Sequence, residues 1–200
     1  MAGRGLASEP ASWAEIAAYA IDQAGEAAAG RGPKRNESVE ARYSRYARWC
    51  AERGHTGVEL LLATSMWREA DARALVALEP NIVPYHCETG VEHWILWYHP
   101  ERTPGGMDLD IQRATDRVRA FIPSLSEDER VIFQNLPQFR SVCEIAHAHA
   151  FLRPRSQATT ARLSELRAER LLRSPWAEAE RLGGRGDEAG WSTTVPDLAA

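Results

Sequence analysis

Two histidines at alternate positions, His147 and His149, stand in the run Glu144-Ile-Ala-His-Ala-His-Ala-Phe151. In an extended strand, residues i and i+2 share a face and lie about 6.6–6.8 Å apart. Ile145, His147, His149 and Phe151 therefore occupy one face, and the small residues Ala146, Ala148 and Ala150 follow Glu144 on the other. Paired imidazoles can supply a nucleophile, an acid and base, or metal ligands. The segment before them, Gln134 to Val142, offers an amide (Asn135), a cation (Arg140), a hydroxyl (Ser141) and free backbone N–H groups. Those parts can hold a phosphate beside an imidazole nucleophile. Taken singly each has a plainer reading: half-exposed strand histidines, a turn asparagine, a surface arginine. Their convergence is the signal.

Other groups compete. His147, His149, His93 and Cys87, with His86, His99 and Cys143 nearby in sequence, are candidate ligands for zinc or iron. No CxxC or HExxH pattern accompanies them. Tyr43, Tyr46 and Trp49 recur at helical spacing and read as core. Trp94 and Trp97 read the same way, with one ring free to stack on a base. Cys50 and Cys143 read as buried thiols, and the Arg/Glu alternation from Arg162 to Arg173 as a solvated helix face.

Composition narrows the classes. The 200-residue chain is 44% hydrophobic and 26% charged, with net charge −4; its pI is near 5.9. This is globular composition without a basic footprint for nucleic acid, and it leaves room for a small anionic ligand. Three widely spaced cysteines fit a reducing cytoplasm. No apolar run approaches the ~20 residues of a membrane span, and residues 1–10 lack the apolar core of a secretory signal. Abundant Ala and Arg with scarce Lys read as the coding bias of a high-GC bacterial genome.

The elements that must position the histidines follow from periodicity. Ser12 and Glu15 form a capping box before Trp13, Ile16, Ala17, Ala20 and Ile21, and Gly30, Gly32 and Pro33 end that helical region. A second helix is expected over 38–53, with Gly54 as its stop. Val58 to Trp67 continues into a charged helix ending near Leu78. The period then changes: Val91–Tyr98 is a strand with two apolar faces, hence central. Asp108–Ile122 is an amphipathic helix, Arg130–Gln134 a strand and Glu144–Leu152 the histidine strand. The fold class is α+β, a helical N-terminal part packed on an antiparallel sheet. The expected organisation is a flexible 1–11, one domain over 12–154 (helical 12–80, sheet-containing 81–154), a C-terminal helix over 155–182 and a disordered 183–200.

The landmarks Asn81-x-x-Pro-Tyr85, Gly90, His93-Trp-Ile-Leu, Phe133-Gln-Asn135, Arg140-Ser-Val142 and His147-x-His149 follow an order that resembles the histidine-triad superfamily of nucleotide hydrolases and galactose-1-phosphate uridylyltransferases. From about Ser12 to Arg153 the chain more closely resembles a poorly characterised family that includes the fungal N-acetylglucosamine-induced protein. The superfamily resemblance implies a histidine-triad-like fold and a histidine nucleophile, His147 or His149. That nucleophile attacks the α-phosphorus of a nucleotide or nucleotide-sugar, with no cofactor, in a nucleotidyltransferase or hydrolase reaction. It also implies substrate contacts from Asn135, Arg140, Ser141, His93, Asn81 and Tyr85. One triad place is lost, to Phe151 at the third position or Ile145 at the first, and counting from Asn135 or Ser141 lands on Ala148 or Ala146. Which histidine attacks is left open. The partner expected is a small nucleotide or sugar phosphate, with neither nucleic acid nor membrane and with a homodimer left open. The alternatives are a metal-dependent enzyme and a non-catalytic nucleotide or sugar-phosphate sensor.

Overall fold

The computed structural model describes residues 6–52, 54, 76–99, 107–140, 142 and 144–171. Five α-helices and four strands lie among them: α1 (Trp13–Ile21), α2 (Gln23–Ala28), α3 (Glu37–Glu52), β1 (Val76–Pro80), β2 (Glu92–Tyr98), α4 (Ile111–Phe121), β3 (Arg130–Phe133), β4 (His147–Leu152) and α5 (Gln157–Leu171). The strands form one antiparallel sheet in the order β1-β2-β4-β3. This is the α+β architecture expected, and β2 is central in it.

Alternation along the strands gives the sheet two different faces. Leu78, Trp94, Leu96, Ala148, Ala150 and Leu152 pack with Ala114, Val118 and Ile122 of the α4 segment and Leu163 and Leu166 of α5. The two alanines of β4 leave room on this side for the helices. Arg167 reaches from α5 to Glu92 at 2.6 Å, and the Trp94 indole N–H donates to the same carboxylate at 2.8 Å. On the other face, Phe133 and Phe151 meet Ile16 and Tyr19 of α1, with Tyr85 and Val131 at the margin.

Local signals explain most of the helix ends. Ser12 caps α1, its hydroxyl accepting from the Glu15 N–H while the Glu15 carboxylate takes the Ser12 N–H at 2.8 Å. Asp22 divides the expected single helical region into α1 and α2, its carboxylate accepting the Gly25 N–H at 2.9 Å. Gly32 adopts φ +106° against the Tyr19 ring, where an added Cβ would come within 2.4 Å; no other residue fits both demands.

The structure corrects several boundaries. Val76–Pro80 is a strand, where a helix ending near Leu78 and a helical region to residue 80 were expected. Ala77 and Leu78 are both fully buried, and a short apolar run carries no period to separate strand from helix. Pro80 is tolerated because β1 is an edge strand. The regular part of the histidine strand begins at His147, not Glu144, because residues 144 and 145 bend. The segment expected to be flexible is tied down in its described part: the Ala7 N–H donates to Arg35 O and the Ala11 N–H to His86 O, each at 2.9 Å. The expectations for Val58–Trp67, for the helix beyond Leu171 and for the tail over 183–200 fall outside the described residues. No helix among those described is long and apolar enough to cross a membrane.

Candidate functional site

Register assembles the site. His93 pairs across from Phe151, Ile95 from His149 and Trp97 from His147, while β3 sets Phe133 opposite His149. Directly opposed residues share a face, so His93, His147 and His149 gather on the side away from α4 and α5. They are 7%, 4% and 6% exposed, which overturns the half-exposed reading of the pair. Aromatic rings enclose them: Tyr85 and Phe151 stack on His93 at 4.9 and 4.2 Å, Phe133 on His149 at 5.5 Å, and Trp97 lies 4.8 Å from His147.

Buried imidazoles need hydrogen-bond partners, and the partners here determine where each proton sits. The Tyr85 backbone N–H approaches His93 Nδ1 at 3.0 Å. A main-chain amide only donates, so His93 Nδ1 accepts and the neutral ring carries its proton on Nε2. That proton points at His149 Nδ1, 2.9 Å away, so His149 is protonated on Nε2. The Asn135 carboxamide lies 2.7 Å from that nitrogen. It must present its oxygen to the ring, an orientation reached by a half-turn of the amide with no change of shape. Burial, reinforced by the charge of Arg35, holds the His93 pKa well below the ordinary imidazole value.

His147 is wired differently. Its Nδ1 lies 2.8 Å from the Ile145 carbonyl oxygen, and a carbonyl only accepts. The proton is therefore on Nδ1, and Nε2 keeps its lone pair; no hydrogen bond reaches that nitrogen among the described residues. Burial lowers the His147 pKa, the Ile145 bond opposes that shift and the charge of Arg140 adds to it. Of the three histidines, His147 alone holds an uncommitted basic nitrogen.

The loop over 134–140 is held from several sides. Arg140 Nε donates to the Asn135 carbonyl oxygen at 2.8 Å and its Nη2 to Asp108, also at 2.8 Å. The Gln134 amide donates to Met107 O at 2.6 Å and accepts from the Leu109 N–H at 3.0 Å. Gln23 of α2 donates to Gln134 O at 2.7 Å and accepts from the Leu136 N–H at 3.0 Å. Sequence reasoning missed Gln23, Gln134 and the Ile145 carbonyl, because a backbone partner leaves no mark in residue type. We expect Gln23→Ala to cost about 1–3 kcal/mol, a Tm drop of several degrees in thermal melts, while Gln23→Glu, which keeps the acceptor but turns a carboxylate oxygen on Gln134 O, costs at least as much. Equal melting temperatures for all three proteins would exclude the staple.

Asn81 and Tyr85 reach the site as braces of His93. The Asn81 amide lies 3.3 Å from His93 Nδ1, and Asn81 Oδ1 accepts the Val83 N–H at 3.0 Å. Ser141 and Cys143, and the side chains of Tyr46, Trp49 and Cys50, lie outside the described residues. The Cys87 thiol turns to its own loop, 3.5 Å from Tyr85 O, and burial raises its pKa to about 12. Among the described residues no group of three or more His, Cys, Asp or Glu is placed to hold a metal.

Comparison with known proteins places the chain more widely. It is 35% identical over 88 residues to the uncharacterized protein YPL067C of Saccharomyces cerevisiae, a match covering 39% of this chain and 43% of that one. The aligned part thus spans under half of the yeast protein. The solved crystal structure of HTC1 superposes with a TM-score of 0.52 at 24% identity, over 79% of this chain and 96% of the other, a likeness of fold. The N-acetylglucosamine-induced name and the histidine-triad likeness rest on the sequence landmarks alone. The model for the protein family of unknown function DUF3605 matches residues 31–153, and the chain belongs to that family.

Proposed function

We propose that this protein is a phosphate-ester enzyme of histidine-triad type, a nucleotidyltransferase or nucleotide hydrolase, with His147 as its nucleophile. The observation that carries the reading is the tautomer of His147: Nδ1–H given to Ile145 O at 2.8 Å, Nε2 left with a lone pair. Its depressed pKa keeps that lone pair available at neutral pH. In the first step Nε2 forms a bond to phosphorus as the bond to the leaving oxygen breaks, and the leaving group takes the electron pair. The ring becomes cationic, and the Ile145 carbonyl, already on Nδ1–H, stabilises it. In the second step a water or acceptor hydroxyl attacks phosphorus, the N–P pair returns to Nε2, and a proton is released. Arg140, whose charge acts on His147, offsets negative charge on the phosphoryl oxygens. The landmarks shared with the histidine-triad superfamily support the same reading.

The test is incubation with nucleotides and nucleotide-sugars radiolabelled at the α-phosphorus, followed by acid and base treatment of the trapped protein. An acid-labile, base-stable adduct mapping to His147 is expected. Absence of any adduct together with absence of turnover across the panel would overturn the proposal.

A further inference from the structure

His93 sits on a different strand from the proposed nucleophile, and its hydrogen bond reaches the neighbouring ring of His149. Its Nδ1 takes the Tyr85 N–H at 3.0 Å and its Nε2 lies 2.9 Å from His149 Nδ1. His149 Nε2 in turn meets the Asn135 carboxamide at 2.7 Å, and the Asn135 carbonyl receives Arg140 Nε at 2.8 Å. One directional chain thus runs from the loop over 81–85, through two rings, to the loop that carries Arg140. Each link as far as the Asn135 side chain is set by the one before it, and the first is set by a backbone amide that cannot reverse.

We propose that His93 is a positioning residue: by donating from Nε2 it locks His149 in the Nε2–H tautomer that orients the side chain of Asn135, the residue whose main-chain carbonyl receives Arg140. The consequence for catalysis rests on the reading of His147 as nucleophile; the proton pattern does not. His93 touches neither the reacting nitrogen nor the cation, and acts through His149. Without its donor, His149 Nδ1 loses its proton source, the ring is free to take either tautomer, and the Asn135 amide is no longer held in one orientation. The surrounding stack of Tyr85, Phe133 and Phe151 would hold the ring plane but could not select the proton position.

Long-range proton–nitrogen correlation spectra of the full chain, labelled with ¹⁵N-histidine, test this directly. In the unmodified protein His93 and His149 should appear as Nε2–H tautomers and His147 as Nδ1–H. His93→Phe should give His149 averaged nitrogen shifts, and His93→Gln, which keeps an N–H at the Nε2 position, should restore the single tautomer. Labelled-adduct formation should fall about 10²-fold in His93→Phe and recover most of the way in His93→Gln. A His93 protonated on Nδ1 in the unmodified protein would overturn the proposal even if neither variant folds. So would a His149 that keeps one tautomer in His93→Phe, or an adduct rate untouched by that change. If no adduct forms with the unmodified protein, the nucleophile reading fails, and the spectra still decide the role of His93.

Discussion

Replacing His147 with asparagine is expected to reduce labelled-adduct formation at least ~10³-fold, because the change removes the nitrogen proposed to attack phosphorus. The side-chain amide of asparagine can occupy the place of Nδ1–H and keep the bond to Ile145 O, which His147 makes at 2.8 Å. The fold should therefore survive, with circular dichroism and melting close to those of the parent. His149→Gln makes the contrasting variant. It retains a donor where Nε2–H meets Asn135 and loses the acceptor for His93 and the ring stacked on Phe133, so a loss of about 10–10²-fold is expected. The order of the two effects is the informative result. Were His149→Gln to abolish the adduct while His147→Asn kept it, the nucleophile assignment would be reversed.

Stability should fall as the solution is acidified through the histidine range. His93 and His147 are both held neutral in the folded protein, with pKa values below the ordinary imidazole value, burial being the main cause for each. In the unfolded chain each takes up a proton near pH ~6.5. Below that pH the unfolded state binds more protons than the folded one, so unfolding becomes easier as pH drops. Each histidine contributes a slope of up to about 1.4 kcal/mol per pH unit until its folded pKa is reached. The two slopes add wherever both rings are still neutral in the folded protein. The lowered carboxylates Glu15, Glu26, Asp128 and Glu129 remain ionised in that window and enter only below it. Urea titrations at pH 7, 6 and 5 measure the slope, and His93→Phe should reduce it by about half. Equal unfolding free energies at pH 7 and 5 would mean that the two rings are not held neutral by the fold.

The amino-acid sequence determined the parts of this protein that depend on neighbours along the chain. The alternation around His147 and His149 placed both rings on one strand face, and the Ser12/Glu15 pair started α1. The apolar run of β2 marked a central strand, and the order Asn135, Arg140, His147, His149 marked the loop and strand that form the candidate site. β1 escaped because its apolar run is only Val76 to Leu78, with Ala77 and Leu78 buried on opposite faces, and so short a run has no period to read. The hydrogen bonds of Ala7 and Ala11 were not legible because their partners, Arg35 and His86, are distant in sequence. Tertiary structure alone separated the two histidines. A proton goes to whichever nitrogen faces an acceptor, and His93 meets His149 from a position 56 residues away. The Ile145 carbonyl reaches His147 only because the backbone bends before β4, and a carbonyl looks the same in every sequence. Residue types could place two imidazoles side by side; which one keeps a free lone pair is decided by the backbone groups and rings that the fold brings to them.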